Sequence, residues 1–229
     1  MRSKHEPRPH RPALAGVLMP GVLRDRGCVV SYGCILLDPP WPEYGGGGRG
    51  AQNHYALMRV PDIARTILRA NCWDPAVNCH LWIWSPRQIG QCLAVIDALG
   101  FEQKSFAIWA KRGPAGLGQY MRYRGELLLF ATRGQAMMPA SAPENLVLTL
   151  DEDYTDVPAL YEERVKSNGR SIHSRKPAAF YDLIEAVSPG PRLEMFSRSR
   201  RDGWDAWGNE VDKFTPIEAK GEPCTTPSL

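Results

Sequence analysis

Four consecutive residues, Asp38-Pro39-Pro40-Trp41, could together hold a planar amino group. They follow the apolar run 34–37, which predicts a buried strand of a parallel sheet, and ligand crevices of open α/β sheets lie at the carboxyl ends of such strands. The prolines donate no backbone hydrogen bond, so the stretch offers a carboxylate and carbonyls as acceptors, while Trp41 adds a flat apolar face. Acceptors beside a stacking surface suit a group that carries an NH2, such as the exocyclic amino group of adenine.

The same four residues also fit a purely structural role. In that interpretation the two prolines end the strand and Trp41 packs into the core. A short motif matches by chance often enough that the stretch alone does not decide between the two interpretations. The rest of the chain has to be considered.

The length and composition indicate one ordinary α/β domain. A chain of 229 residues can bury a proper core but is too short for two comfortable domains. No segment is apolar for long enough to span a membrane, and no leader resembles a signal peptide. We therefore predict a cytoplasmic protein without membrane contact.

The cysteines and histidines show no metal-binding pattern. Six cysteines form no C-x-x-C pair and keep no ligand spacing with the five histidines. Several lie in apolar segments, which predicts reduced core thiols and no metal site. Cys79 and His80 are adjacent and could suggest zinc ligands, but we favour a strand edge.

Basic residues are clustered although the formal net charge is only +3. Residues 1–27 are rich in Arg, Lys and Pro, which predicts a flexible basic arm. Further basic clusters at 111–112, 122–124 and 198–201 bracket the candidate site. Such clusters are usually solvated surfaces, but here they could neutralise phosphates.

Hydrophobic spacing predicts alternating strands and helices and therefore a Rossmann-like α/β sandwich over residues 28–214, with a loose tail at 215–229. The predicted strands are 34–37, 81–84, 105–110, 126–132, a candidate at 146–150 inside an irregular excursion, and 193–196 as the last. The first predicted helix is 61–70, with Ile63, Ile67 and Leu68 on one face. The second contains Ile89, Cys92, Leu93 and Ile96 at helical spacing and ends at Gly100. The third begins at Pro177 and ends at 188–190. The glycine-rich stretch 44–50 lacks the end of a phosphate-binding loop and predicts a lid over the site.

Several motifs recur in a fixed order along the chain. They are D-P-P-W (38–41), a glycine-rich loop ending in N-H-Y (53–55), W-A-K (109–111), R-G-E-L-L-L (124–129), H-S-R-K-P (173–177), P-R-L-E-M-F-S-R (191–198) and G-W-D-A-W-G-N-E (203–210). This ordered set resembles the MT-A-type family of adenine amino-group methyltransferases, over residues 34–211. The resemblance implies S-adenosylmethionine as methyl donor and a mostly parallel sheet with helices on both faces. It also implies a permuted order in which the catalytic motif precedes the cofactor motifs.

The resemblance also implies roles for individual residues. The catalytic residues would be Asp38, Pro39, Pro40 and Trp41. Cofactor contacts would come from Asp38, from Lys176 at the cofactor carboxylate, and from Phe196, Arg198, Asn209 and Glu210. Substrate contacts would come from Tyr44, Asn53, His54, Tyr55, Lys111 and Glu126.

Several of these residues have a plain structural interpretation as well. Lys176 could be a solvated charge at a helix start, although helix N-termini favour anions. Arg198 could belong to a surface cluster, and Asn209 with Glu210 could form a turn after Gly208. His54 and Tyr55 could stabilise the lid without contacting the base.

The sequence is compatible with three functions. A DNA adenine methyltransferase is the leading hypothesis and an RNA adenosine methyltransferase is the second, because small size and the absence of a recognisable RNA-binding companion domain favour DNA. The third is an inactive subunit that only binds nucleic acid, which the intact stretch 38–41 argues against. The sequence leaves the oligomeric state open, including a homodimer.

Overall fold

The computed structural model describes residues 30–42, 57–111, 120–149 and 176–211. The strands found there are β1 (Tyr32–Leu37), β2 (Pro75–Ser85), β3 (Glu102–Lys111), β4 (Gly125–Arg133), β5 (Leu146–Thr149), β6 (Arg192–Met195) and β7 (Trp204–Trp207). The helices are α1 (Val60–Arg69), α2 (Ile89–Ala98) and α3 (Ala178–Val187). The predicted arm, lid and tail lie outside the described residues.

One sheet contains the seven described strands in the order β5-β3-β4-β2-β1-β6-β7. β1 pairs in parallel with β2 and β6, β6 with β7, and β3 with β5, whereas β4 is antiparallel to both of its neighbours. Six strands therefore end at one edge, here called the carboxyl edge, and β4 alone begins there. The opposite edge is called the amino edge.

Each face of the sheet is covered by helices. Because side chains alternate along a strand, Ile35 and Leu37 of β1 pack in one core, which also contains residues of α1 and α2. Cys34 and Leu36 pack in the other core, which contains α3 residues such as Phe180. All six residues of β1 are buried, as expected for an interior strand with parallel neighbours in a sheet covered on both faces. The Rossmann-like sandwich is confirmed.

The helix ends follow the predicted signals. Pro61 lies in the first turn of α1, where its missing N–H is not needed. Gly100 follows α2 with a φ of 79° and donates its N–H to the Asp97 carbonyl at 3.0 Å. Glycine reaches that left-handed conformation without steric cost, which explains why α2 stops there.

Some predicted details are wrong. Leu68, Ile89 and Leu93 are exposed. The buried side of α1 includes Ala64 beside the predicted Ile63 and Ile67, and that of α2 includes Val95 beside the predicted Cys92 and Ile96. Phe196 does not end the last strand, since β7 follows it. A four-residue strand with only two apolar alternations gives too weak a pattern to be recognised from sequence.

A buried hydrogen-bond network occupies the amino half of the sheet. His80 Nε2 lies 2.9 Å from the Met137 carbonyl oxygen, which can only accept, so Nε2 carries the proton and Nδ1 accepts from the Ser188 hydroxyl at 3.0 Å. Ser188 Oγ in turn accepts from Trp82 Nε1 at 2.8 Å. Burial lowers the pKa of His80, which agrees with this neutral form.

Cys79 and His80 therefore have structural roles inside β2, and not at a strand edge as predicted. Burial raises the pKa of the Cys34, Cys79 and Cys92 thiols to about 12, which leaves them unreactive. Cys34, Cys79 and Cys92 are free thiols. Within the described ranges, no group of three or more His, Cys, Asp or Glu side chains could hold a metal ion. No helix in the described part of the chain is long and apolar enough to cross a bilayer.

Candidate active site

The strand directions bring three distant charged residues to the carboxyl edge. Asp38 directly follows β1, and Lys176 stands two residues before α3. Glu126 is the second residue of β4, and it reaches this edge because β4 runs against the other strands. The sheet order β4-β2-β1 sets Glu126 two strands away from Asp38, which a lysine side chain can bridge.

Lys176 joins the two carboxylates. Its Nζ lies 2.8 Å from Glu126 Oε2 and 3.5 Å from Asp38 Oδ1. Arg198 approaches the other oxygen of Asp38, with Nη2 at 3.9 Å. The side chains of these four residues expose between 11% and 28% of their surface. We name these four residues the charged cluster. It holds two positive and two negative charges, and Asp38 is open to a ligand.

The Lys176 ammonium stays protonated in this environment. Burial alone would lower its pKa, but the attraction of Asp38 and Glu126 outweighs burial and raises the pKa above its usual value. The ammonium also lies 4.5 Å from the centre of the Trp84 ring, within cation–π range. Lys176 is therefore a fixed positive charge at the end of β1.

The D-P-P-W stretch has no backbone donor left over. The two prolines have no N–H, the Asp38 N–H lies 3.4 Å from the Met195 carbonyl, and the Trp41 N–H donates to the Pro39 carbonyl at 2.9 Å. The Pro40 carbonyl accepts from the Met58 N–H at 2.9 Å. Both proline carbonyls therefore accept one internal hydrogen bond, which sequence reasoning did not foresee. A carbonyl oxygen has two lone pairs, so each retains one.

The indole of Trp41 is held by its polar end. Its Nε1 donates to the Trp84 carbonyl at 2.7 Å, and its ring packs partly against the core. Trp84 itself is buried, as predicted. It nevertheless contacts two site residues, because its carbonyl holds Trp41 and its ring faces Lys176. Sequence reasoning missed this double role, since a buried strand tryptophan carries no signal for it.

The turns after β6 and β7 contact each other. Phe196 has a φ of 63°, and its ring packs edge-on against Trp207 with centroids 5.6 Å apart. Ser197 donates its N–H to the Trp207 carbonyl at 3.0 Å. A Cβ at Gly208 would lie 2.5 Å from the Ser197 carbonyl oxygen, so only glycine permits this approach. The side chain of Arg198 extends from this junction toward Asp38.

Asn209 and Glu210 follow Gly208 directly, at the carboxyl edge of β7. Strands in a sheet are about 4.8 Å apart, and β6 separates β7 from β1. These two residues therefore stand roughly 10 Å from the end of β1. The structure thus brings the predicted cofactor residues to one half of the carboxyl edge.

The remaining predicted substrate residues are not all described. Tyr44, Asn53, His54 and Tyr55 lie outside the described residues. Lys111 ends β3, three strands away from β1. Their assignment stays a prediction.

Glu194 is a buried carboxyl group that received no role from the sequence. It lies in β6 opposite Leu36, and its Oε1 accepts from the Tyr181 hydroxyl at 2.9 Å. Burial raises its pKa from 4.5 to about 7, with hydrogen bonds from Tyr181 and Ser197 opposing the shift. A glutamate among the apolar residues of the predicted strand 193–196 is the signal that could have identified it.

A cavity of about 460 Å³ runs beside β7. Its lining includes Cys72, Leu193, Arg200, Asp205 and Trp207. It shares Trp207 with the junction of the two turns but includes none of the charged cluster. The cavity therefore adjoins the predicted cofactor side without reaching Asp38.

A family model described as MT-A70 matches residues 32–210. The chain belongs to the MT-A70 family. The match includes the whole charged cluster and both turns. MT-A70 methyltransferases use S-adenosylmethionine as methyl donor, so the cofactor expected from the resemblance is confirmed at the family level.

Three curated MT-A70 relatives are similar over most of this chain. The N6-methyladenosine RNA methyltransferase MTA1 of Cryphonectria parasitica is 28% identical over 82% of this chain and 54% of its own length. The type II methyltransferase M.MunI of a Mycoplasma species is 25% identical over 83% of both chains. The N(6)-adenine-specific methyltransferase METTL4 of Mus musculus is 22% identical over 83% of this chain and 40% of its own. The chain thus spans about half of the first relative and less than half of the third.

Proposed function

We propose that this chain transfers the methyl group of S-adenosylmethionine to the exocyclic N6 amino group of adenine in DNA. The observation that carries the proposal is the charged cluster at the first residue of the D-P-P-W stretch, where Lys176 lies 3.5 Å from Asp38 and 2.8 Å from Glu126. Membership of the MT-A70 family supports it.

The residues at the carboxyl edge fit S-adenosylmethionine. Its amino-acid part carries a carboxylate, for which Lys176 and Arg198 offer positive charge, and an ammonium, for which Asp38 offers negative charge. Its adenosine part would meet Phe196, Asn209 and Glu210 after β6 and β7, with the glutamate accepting from ribose hydroxyls. When bound, the cofactor supplies a methyl group on a positively charged sulfur atom.

The hydrogen-bond acceptors of the D-P-P-W stretch can compensate for the low nucleophilicity of the substrate. The amino nitrogen of adenine is a poor nucleophile because its lone pair is delocalised into the ring. The Asp38 carboxylate and the remaining lone pair of the Pro39 carbonyl would accept its two N–H bonds, favour a pyramidal nitrogen and stabilise the positive charge that develops there. The methylated nitrogen is acidic enough to lose its proton to water, so the site needs no separate general base.

Trp41 would stack on an adenine extruded from its base stack, as enzymes that act on bases commonly require. A base–aromatic stack stabilises binding by about 1–3 kcal/mol. The hydrogen bond from Trp41 Nε1 to the Trp84 carbonyl fixes the ring before the base arrives. Tyr44, Asn53, His54, Tyr55, Lys111 and Glu126 are proposed to complete the substrate side.

We favour DNA over RNA as the substrate because of how much of each relative's length aligns with this chain. The alignment with M.MunI spans 83% of both chains, which supports a compact enzyme of that kind. RNA is the second candidate, favoured by the 28% identity to MTA1, although this chain spans only 54% of that protein.

The deciding experiment incubates the purified full chain with methyl-labelled S-adenosylmethionine and matched DNA and RNA pools, followed by digestion to nucleosides. We expect N6-methyldeoxyadenosine. N6-methyladenosine from RNA alone would assign the second candidate, and no labelled product from either pool would leave the inactive binding subunit as the function.

A further inference from the structure

Aromatic and basic side chains alternate directly before β4, in residues 120–124. Tyr120 exposes 99% of its surface, Met121 71% and Tyr123 45%, and the two arginines of the segment are also exposed. Large exposed apolar groups are usually scattered singly over a protein surface. Here three lie within four consecutive residues, and we name residues 120–124 the Tyr–Arg segment.

Arg87 orders one ring of this segment. Its guanidinium carbon lies 4.9 Å from the centre of the Tyr123 ring, which is a stacked cation–π contact. The contact exists because β2 and β4 are antiparallel neighbours with Ser85 opposite Leu127, so the residues after β2 meet those before β4. Tyr123 is therefore held in place while almost half of it faces solvent.

The Tyr–Arg segment lies beside the charged cluster. Tyr123 precedes Glu126 by three residues, so the chain can separate their Cα atoms by at most about 11 Å. Glu126 Oε2 in turn lies 2.8 Å from Lys176 Nζ. The exposed tyrosines and the proposed methylation site thus share the carboxyl edge.

The two segments that form this surface carry basic side chains only. Residues 120–125 and 86–96 contain no acidic residue. The first turn of α2 starts two residues after Arg87 and lacks an acidic residue as well, so its dipole adds positive potential. A surface that combines exposed rings with arginines suits a chain of planar bases joined by phosphates.

We propose that the Tyr–Arg segment and Arg87 bind the nucleotides that flank the target adenine. Tyr120 and Tyr123 stack on unpaired bases, and the arginines contact the phosphates between them. Stacking of this kind does not depend on base identity, so this surface contributes affinity and not sequence recognition. The proposal rests on the proposed function in one respect, namely that the substrate is a nucleic acid.

The first test measures binding of a fluorescently labelled single-stranded DNA by anisotropy over a salt series. Tyr123→Ala should raise the dissociation constant about 5- to 150-fold, the range for loss of one base–aromatic stack, whereas Tyr123→Phe should bind like the wild type. Arg87→Gln should weaken binding and reduce the slope of log K against log salt by about 0.7, the value for one phosphate contact on a single strand.

A matched control lies at the amino edge. The Arg133 guanidinium stacks at 5.7 Å on the Phe101 ring, so Arg133→Gln removes the same charge and the same type of contact far from the Tyr–Arg segment. This variant should bind DNA like the wild type. If Tyr123→Ala proves unstable by thermal unfolding, Tyr120→Ala replaces it, since an almost fully exposed ring supports no core.

The outcomes separate this proposal from the proposed function. If the wild type methylates DNA but Tyr123→Ala, Tyr120→Ala and Arg87→Gln bind as tightly as the wild type, the surface proposal is overturned and the enzyme remains. If the wild type methylates nothing but binds nucleic acid in a Tyr123-dependent way, the surface proposal stands and the enzyme assignment fails. If the wild type binds RNA more tightly than DNA, and Tyr123→Ala weakens the binding of both equally, the surface proposal is supported and the natural ligand is RNA.

Discussion

The amino half of the sheet and its carboxyl edge both carry polar clusters, but the groups in them differ in kind. In the amino half, His80, Ser188 and Trp82 are buried, neutral and joined by hydrogen bonds of 2.8–3.0 Å. At the carboxyl edge, Lys176, Asp38 and Glu126 are charged and partly exposed, at unequal distances of 2.8 and 3.5 Å.

This difference separates a structural cluster from a functional one. Buried neutral groups whose hydrogen bonds are all made stabilise one packing and have nothing to offer a ligand. Partly exposed charges with long contacts can exchange a protein partner for a ligand at small cost. We expect the first cluster to control stability and the second to control activity.

The largest effect should come from Asp38→Asn, which keeps the shape of the side chain and removes its charge. Loss of a group that stabilises charge in the transition state lowers kcat about 100- to 1,000-fold, while the partly exposed position leaves the unfolding free energy nearly unchanged. Single-turnover methylation and urea unfolding measure the two quantities. Asp62→Asn on α1, where the carboxylate pairs with two exposed arginines, is the control and should keep wild-type kcat. Wild-type turnover in Asp38→Asn would contradict the site assignment.

Lys176→Met tests the positive half of the cluster. A charge-assisted hydrogen bond contributes about 1.5–3 kcal/mol, so the dissociation constant for S-adenosylmethionine should rise roughly 10- to 150-fold, measured by calorimetry without nucleic acid. Lys104→Met, which breaks an exposed pair with Glu102, should not change it. An unchanged dissociation constant in Lys176→Met would show that this lysine only neutralises the two carboxylates.

Ser188→Ala tests the buried hydrogen-bond network in the amino half of the sheet. It leaves His80 Nδ1 and Trp82 Nε1 without their partner, and an unsatisfied buried group costs about 1–3 kcal/mol. Urea unfolding should detect this loss, while kcat of the folded protein stays at the wild-type value. Ser31→Ala, which removes an exposed hydrogen bond to Asp74, should change stability much less. A loss of activity in Ser188→Ala without a loss of stability would remove the distinction between the two clusters.

A further effect depends on pH and concerns Glu194. Because burial raises its pKa from 4.5 to about 7, the folded state holds this proton between those values while the unfolded state has released it. Its contribution to stability is therefore present at low pH and is lost as the pH rises toward 7. Glu194→Gln, which cannot ionise, should gain thermal stability over the wild type at pH 8 relative to pH 5. An equal difference between the two proteins at both pH values would contradict the shift.

Local patterns predicted most of the fold. The apolar runs, the glycine after α2 and the proline before α3 act within a few residues, so their spacing predicted six of the strands and all three described helices. The failures have physical causes as well. β7 is too short for its alternation to be recognised, and the face that Leu68 occupies depends on which residues of other elements pack against α1.

The D-P-P-W stretch was predictable for the same reason, because strand end, donor loss and aromatic face are all local. By itself the sequence determined that Asp38 ends a buried strand and precedes two prolines and an aromatic ring, which predicts a site for planar amino groups there. Only the tertiary structure decided that Lys176 meets Glu126, 50 residues away in the chain, and that Arg87 orders Tyr123. Both contacts depend on the reversed direction of β4, which is set by strand pairing across the whole sheet and leaves no mark on any single stretch of sequence.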